Sequence, residues 1–425
     1  MTFKATHEGM QTMRMTRRTL EKTLAGMAVC VLGAENASRA QTDSEQIALP
    51  ARLEFSADQF QVSLNNARWH PLSRGAQAAM NNYIEYKRRG IWQPDDMLSA
   101  MQSSVRAEFA ALVGAGVDEI AFVNSTTTAE SLFAAALGFP ALKGNIVTDA
   151  LHFEGSLYLY DALKRQGVDV RVVRPREWGI APEDMSRAID KNTRLVAISQ
   201  VSYINGFEHA LRPLCELAHA HGAVVYADAV QAAGCIPIDV RATGVDAMGA
   251  ASYKWLMGDM GLGFLYVRKS VLPRLKRVLY GYRQLANYAT HVFPWDAPGN
   301  RAVECVVREN AAGYFETGTY ANATIAALSF SLPWLRQTRV DRIQAHAQPL
   351  LVRLRGELPT LGYECITPAS SHAPILSFRV KNAARTESAL QRAHVDVSLN
   401  PGYMRVSPSV YNTMEDVERL LAALA

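Results

Sequence analysis

Between residues 119 and 267 of this 425-residue chain, seven short β-branched or apolar runs alternate with longer segments of helical pattern. The runs are Glu119–Val123, Asn145–Asp149, Val168–Val173, Arg194–Ser199, Ala223–Asp228, Ala247–Ala250 and Gly263–Val267. Helical patterns fall between them, among them Ala129–Leu137, Phe153–Arg165, Pro182–Ile189 and Pro213–Ala220. Alternation of this kind predicts a largely parallel sheet with helices on both faces. The expected fold class is therefore α/β, built on a large, mostly parallel, seven-stranded sheet. Ligands of such sheets bind at the carboxyl ends of strands, where Asp228 stands.

The flanks read differently. Phe60–Asn66 resembles a strand leading into a polar turn. After residue 317, Tyr320–Leu335 and Val340–Leu358 read as helices, Ile375–Val380 and Met404–Val406 as strands, and Met414–Leu424 as a closing helix. The expected division is a signal segment over 1–40, an N-terminal segment over 41–75, a large domain over 76–316 and a smaller α+β domain over 317–425.

The first 40 residues read as an address. Thr16-Arg17-Arg18-Thr19-Leu20-Glu21-Lys22 is a twin-arginine pattern, followed by an apolar stretch from Thr23 to Ala34 and by Ser38-Arg39-Ala40. Charged, apolar and small-residue regions in that order predict bacterial export to the periplasm by the twin-arginine translocon, with cleavage near residue 40. That stretch is too short to span a bilayer, and no other run predicts a stable membrane span. The formal charge of +4 owes much to this segment, because the remainder holds 38 basic and 37 acidic residues. No basic face is implied, and nucleic-acid binding is not expected. The five cysteines, Cys30, Cys215, Cys235, Cys305 and Cys365, show no metal-ligand spacing.

Lys254 stands in Ala251-Ser252-Tyr253-Lys254-Trp255-Leu256, a poor setting for a surface lysine, just ahead of glycines 258, 261 and 263. Asp228 closes the upstream strand in Tyr226-Ala227-Asp228. A lysine that can form a Schiff base and an acid that can hold a pyridinium nitrogen are the pair that pyridoxal phosphate chemistry needs most. Lys254 would then also move the proton at the substrate α-carbon. An N-cap remains the alternative role for Asp228. Gln231 could donate to the cofactor's phenolic oxygen, and Ser252 could offer its hydroxyl to a phosphate. Ser125, Thr126 and Thr127 open a helix after Val123, which makes an anion cradle or a simple cap. Phe153 could stack on the pyridine ring or pack in the core, with His152 as its competitor. Arg405, between Met404 and Val406, suits a substrate α-carboxylate or a structural ion pair.

These pieces together resemble the class V aminotransferase family of fold type I pyridoxal phosphate enzymes. Leu64-Asn65-Asn66-Ala67, Ser125–Thr127, Phe153-Glu154-Gly155-Ser156, Asp228-Ala229-Val230-Gln231, Ser252-Tyr253-Lys254-Trp255 and Phe315-Glu316-Thr317-Gly318-Thr319 carry the likeness in order. It implies Asn66 and Arg405 at the substrate, and a homodimer in which Thr319 reaches the neighbouring subunit's phosphate. Tyr253 stands where a histidine is usual in the family. Ser199-Gln200-Val201-Ser202-Tyr203-Ile204-Asn205-Gly206-Phe207 looks most like the isopenicillin N epimerase-like branch. Cysteine desulfurases carry a catalytic cysteine in the stretch matching Val395–Met404, and this chain has none there. The resemblance implies an aminotransferase-like enzyme acting on an amino acid or peptide amino group. Alternatives are an epimerase, a disfavoured desulfurase-like lyase and a non-catalytic protein of the same fold. With its export signal, the chain is also similar to periplasmic enzymes that modify the glutamate side group of the siderophore pyoverdine.

Overall fold

A computed structural model describes residues 47–55, 61–90 and 97–425 of the chain, and the export-signal reading lies outside the described residues. Residues 48–425 form one compact unit. The first strand, β1 (Val62–Ser63), is only two residues long. Seven more build the main sheet: β2 (Ile120–Val123), β3 (Asn145–Asp149), β4 (Asp169–Val173), β5 (Thr193–Ser199), β6 (Val224–Asp228), β7 (Ala247–Ala251) and β8 (Gly263–Val267). Their order across the sheet is β2-β8-β7-β6-β5-β3-β4.

Pairings from β4 through β7 are parallel, while β8 runs against both of its neighbours, β7 and β2. The exception has a simple cause. Ala251 and Gly263 are joined by a short turn that carries no helix, and a parallel return needs a dozen or more residues. All residues of β6 and β7 are buried, as expected of strands covered on both faces. Ala121, Phe133, Ile146, Leu195, Tyr226 and Leu265 lie in the core cluster on this sheet.

The C-terminal part carries a three-stranded antiparallel sheet, β11 (Leu376–Arg379), β14 (Tyr403–Val406) and β13 (Ser398–Asn400), in that order. The two-residue β12 (Val395–Asp396) pairs in parallel with β1. Val62 and Leu64 therefore share a core with Phe378, Met404, Val406 and Leu420. The N-terminal segment is thus packed onto the end of the chain. Residues 62–66 carry only a two-residue strand, shorter than the run the sequence suggested.

Two features were not anticipated. Helix Arg74–Arg88 packs against helix Asn322–Thr338. A hairpin of β9 (Leu285–Thr290) and β10 (Val303–Val307) stands largely in solvent. Its exposed residues break the inward–outward alternation by which strands are usually recognised.

Candidate active site

The parallel strands and β2 all end at one edge of the main sheet. Asp228 is the last residue of β6 and pairs in register with Ser199, the last of β5. Thr126–Leu137 begins its helix just after β2, with Ser125 as N-cap accepting from the Thr128 amide at 3.1 Å. Phe153 caps helix Glu154–Arg165 after β3, and Lys254 follows β7. These segments enclose a cavity of about 280 Å3 lined by Ser125, Thr126, Thr127, Phe153, Asp228, Gln231 and Lys254 among others.

Lys254 is presented by a tight turn. Its carbonyl accepts from the Met257 amide at 2.8 Å, and Ser252 accepts from Gly258 at 2.8 Å. Met257 takes a left-handed φ of 57°, a conformation that costs a side-chain-bearing residue energy and is found at constrained sites. Loss of hydration pulls the Lys254 amine down to about 8, and Arg405 pulls the same way. Asp228 and Glu154 pull upward and do not compensate.

Asp228 accepts from the Val230 amide at 2.8 Å. Burial holds its carboxyl above the usual range, with the charges of His152 and Lys254 and the Val230 bond opposing. Beneath it lies a buried network absent from the sequence reading. Glu130 accepts from His152 Nε2 (3.0 Å), Ser156 (2.5 Å) and Tyr160 (2.5 Å). Nδ1 of His152 lies 2.9 Å from the Ser199 hydroxyl, and the Phe153 amide points at it from 2.8 Å. Burial alone would lower His152 and raise Glu130. Their mutual attraction outweighs burial, so His152 ends above its ordinary value and Glu130 below.

The remaining expected residues divide. Gln231 lines the cavity, accepting from Trp255 Nε1 at 2.9 Å and donating one amide proton to Ala67 at 2.9 Å, with no acceptor for the second among the described residues. Phe153 faces the cavity and meets Tyr203 edge-on at 5.5 Å, whereas His152 is fully buried. Ser252 does not reach the cavity: its hydroxyl is turned to the carbonyls of Asp259 and Leu262. Asn66 is also drawn away. It donates to Ser407 O (2.8 Å) and accepts from Tyr411 (2.7 Å), tying the N-terminal segment to the C-terminal sheet. Thr319 lines an adjoining cavity that shares Asn124, Gly261 and Leu262 with the first. Arg405 donates to the Tyr203 carbonyl at 2.6 Å, and its Nε is buried without a partner.

Tyr203 and Glu130 were missed as site residues. Tyr203 lines the cavity and donates its hydroxyl to Glu154. Glu130 had a readable signal: it is the single charged residue of the helix Thr126–Leu137.

Pyridoxal phosphate needs an amine, a carboxylate for its ring nitrogen, a flat apolar wall and an anion cradle. Lys254, Asp228, Phe153 and the helix opened by Ser125 supply these around one cavity. The Thr126 hydroxyl, buried there without a partner, is suited to a phosphate oxygen. The residues present therefore fit the group.

Comparison with known proteins agrees. The family model described as aminotransferase class-V matches residues 74–420. A probable cysteine desulfurase of Methanothermobacter thermautotrophicus is 26% identical over 385 residues, 84% of this chain and 92% of the relative. The uncharacterized aminotransferase YcbU of Bacillus subtilis is 28% identical over 322 residues, 75% of this chain and 82% of the relative. Among solved structures, an apo cysteine desulfurase from Thermococcus onnurineus matches with a TM-score of 0.78 at 22% identity, over 88% of this chain and 97% of that one. A C-DES mutant with glycine covalently linked to its PLP cofactor matches with a TM-score of 0.77 at 19% identity, over 88% and 99%. These two likenesses establish the shared fold.

Proposed function

The chain belongs to the class V aminotransferase family of pyridoxal phosphate-dependent enzymes, and from that premise we propose that it acts in the periplasm at the α-carbon of an amino acid or amino-terminal residue. The observation that carries this reading is the pairing of a desolvated lysine with a buried carboxylate around one cavity at the strand ends. The cofactor supplies an aldehyde for the amine and a protonated ring that draws electrons from the α-carbon.

Each residue has a task in this reading. Lys254 Nζ would hold the cofactor and act on the proton at the substrate α-carbon, and an amine lowered to about 8 by loss of hydration suits proton transfer near neutral pH. Asp228 would keep a proton on the ring nitrogen, and Gln231 would offer an amide proton to the phenolic oxygen. Phe153 would cover one face of the ring and keep water from it. Ser125, Thr126 and Thr127 hold the phosphate, with Thr319 reaching that of a second copy in a homodimer. Arg405, whose buried Nε lacks a partner, orients the substrate carboxylate.

The curated relatives include proteins named cysteine desulfurases. Persulfide chemistry is disfavoured here because Val395–Met404, which runs from β12 to β14, holds no cysteine. Transamination is favoured over epimerisation only by family membership. The export signal and the branch resemblance support a periplasmic substrate, with a siderophore such as pyoverdine as the specific candidate.

The test is spectroscopic. Protein purified with pyridoxal phosphate is expected to absorb in the near-visible, and Lys254→Ala to lose that band. A wild-type protein that stays colourless after cofactor addition sinks the reading. Mass spectrometry of periplasmic extracts with and without the protein then identifies the substrate; an unchanged siderophore profile removes pyoverdine.

A further inference from the structure

A third cavity, of about 220 Å3, shares no lining residue with the one around Lys254. Its wall brings together Arg106, Arg283 and Arg308 with one acid, Glu316, and the hydroxyl of Tyr320. The acid is already saturated. One oxygen accepts from Arg106 (2.6 Å) and the Phe122 amide (2.8 Å), and the other from Tyr320. Arg106 is thereby neutralised. Among the described residues, no carboxylate pairs with Arg283 or Arg308.

Arg283 is held rather than loose. Its guanidinium lies over the Tyr320 ring at 4.4 Å and near the Tyr282 ring at 5.3 Å, and its Nε is buried without a hydrogen-bond partner. Arg308 is fixed by donation from its Nε to the Leu285 carbonyl at 3.1 Å. Two oriented cations without an anion around one pocket are costly to assemble, and a bound anion offsets that cost. A guanidinium held over an aromatic ring is organised in advance for a planar, bidentate acceptor.

We propose that the Arg283–Arg308 cavity is a binding site for a small carboxylate-bearing molecule. Neither the family match nor the cofactor chemistry assigns it. Tyr320 lines both this cavity and the one that holds Thr319, so the two are neighbours. Carboxylates are selected over neutral amides of the same shape, since only the charged form satisfies both guanidinium groups.

The test is isothermal titration of the full chain with glutarate, glutaramide and inorganic phosphate at constant ionic strength, with and without pyridoxal phosphate. Saturable glutarate binding without glutaramide binding is expected. Arg283→Gln and, separately, Arg308→Gln should each weaken it by about tenfold or more, the scale of a lost charged hydrogen bond. Arg308 is exposed, so its variant reports on the site even if Arg283→Gln fails to fold. Absent glutarate binding, glutarate binding that neither substitution changes, or phosphate binding as tight as glutarate overturns the assignment. The outcome is independent of cofactor loading and so separates from any failure of the aminotransferase-like reading.

Discussion

Replacing Lys254 by methionine should make the cofactor-free protein more stable. The amine titrates at about 8 in the fold against an ordinary 10.5. At neutral pH the unfolded chain carries a fully hydrated ammonium, whereas the folded chain must hold that charge in a poorly hydrated cavity. At about 1.4 kcal/mol per tenfold, the gap penalises the folded state by about 3 kcal/mol. That figure is an upper bound, because Lys254 is half-buried and water in the cavity screens its charge. The sign follows from proton counting. Between pH 8 and 10.5 the unfolded state binds more protons, so wild-type stability rises with pH across that window. Methionine fills similar volume and carries no charge. Urea unfolding of the cofactor-free proteins should therefore give the variant an advantage of up to about 3 kcal/mol at pH 7, shrinking above pH 8 and vanishing beyond 10.5. A variant that is less stable at pH 7, or an advantage that ignores pH, would refute the idea that the fold holds this lysine under electrostatic strain.

Glu130→Gln should destabilise the fold by about 3–5 kcal/mol, the cost of breaking one side of a buried pair, read by urea unfolding. Glu130 contributes above 4.5 and loses that as pH falls through its lowered folded value; His152 contributes below 6.5 and loses that as pH rises through its raised one. The wild type should thus show a stability maximum across mildly acidic pH that the variant lacks; profiles of equal shape would count against the pair. Arg405→Met should raise the Lys254 titration above 8, because the arginine's charge is among the causes that lower it. Competitive acetylation of Lys254 against pH measures this, and an unmoved titration would separate Arg405 from the cavity.

The parts of the site that were legible in the sequence are those whose chemistry is local. Lys254 stood out because its neighbours are apolar and its glycines close, and Asp228 because it ends a continuous apolar strand. Both signals lie within a few residues of the group they mark. The seven strands were legible for the same reason, each being a short run and all but the edge strand β4 almost wholly buried. What stayed hidden depends on partners far apart in the chain. Nothing near Asn66 says that its amide will be taken by Ser407 and Tyr411, more than 300 residues on. Ser252 was two residues from the lysine, yet the turn that exposes Lys254 directs the serine to Asp259 and Leu262 instead.

The Glu130–His152 pair shows how such distant contacts set the chemistry that the local signal announces. Asp228 is buried, and burial alone favours its neutral form. A neutral acid is a poor partner for a protonated ring nitrogen. A positive charge on His152 would oppose burial at Asp228, and Glu130, 3.0 Å from Nε2, favours that charge. Glu130 in turn can stay ionised in the core because Ser156 and Tyr160 donate to it as well. The ionisation of the acid at the end of β6 is thereby influenced by residues of the helices Thr126–Leu137 and Glu154–Arg165 and of the turn after β3. A sequence can mark the carboxylate; only the packed fold can decide whether it carries its charge.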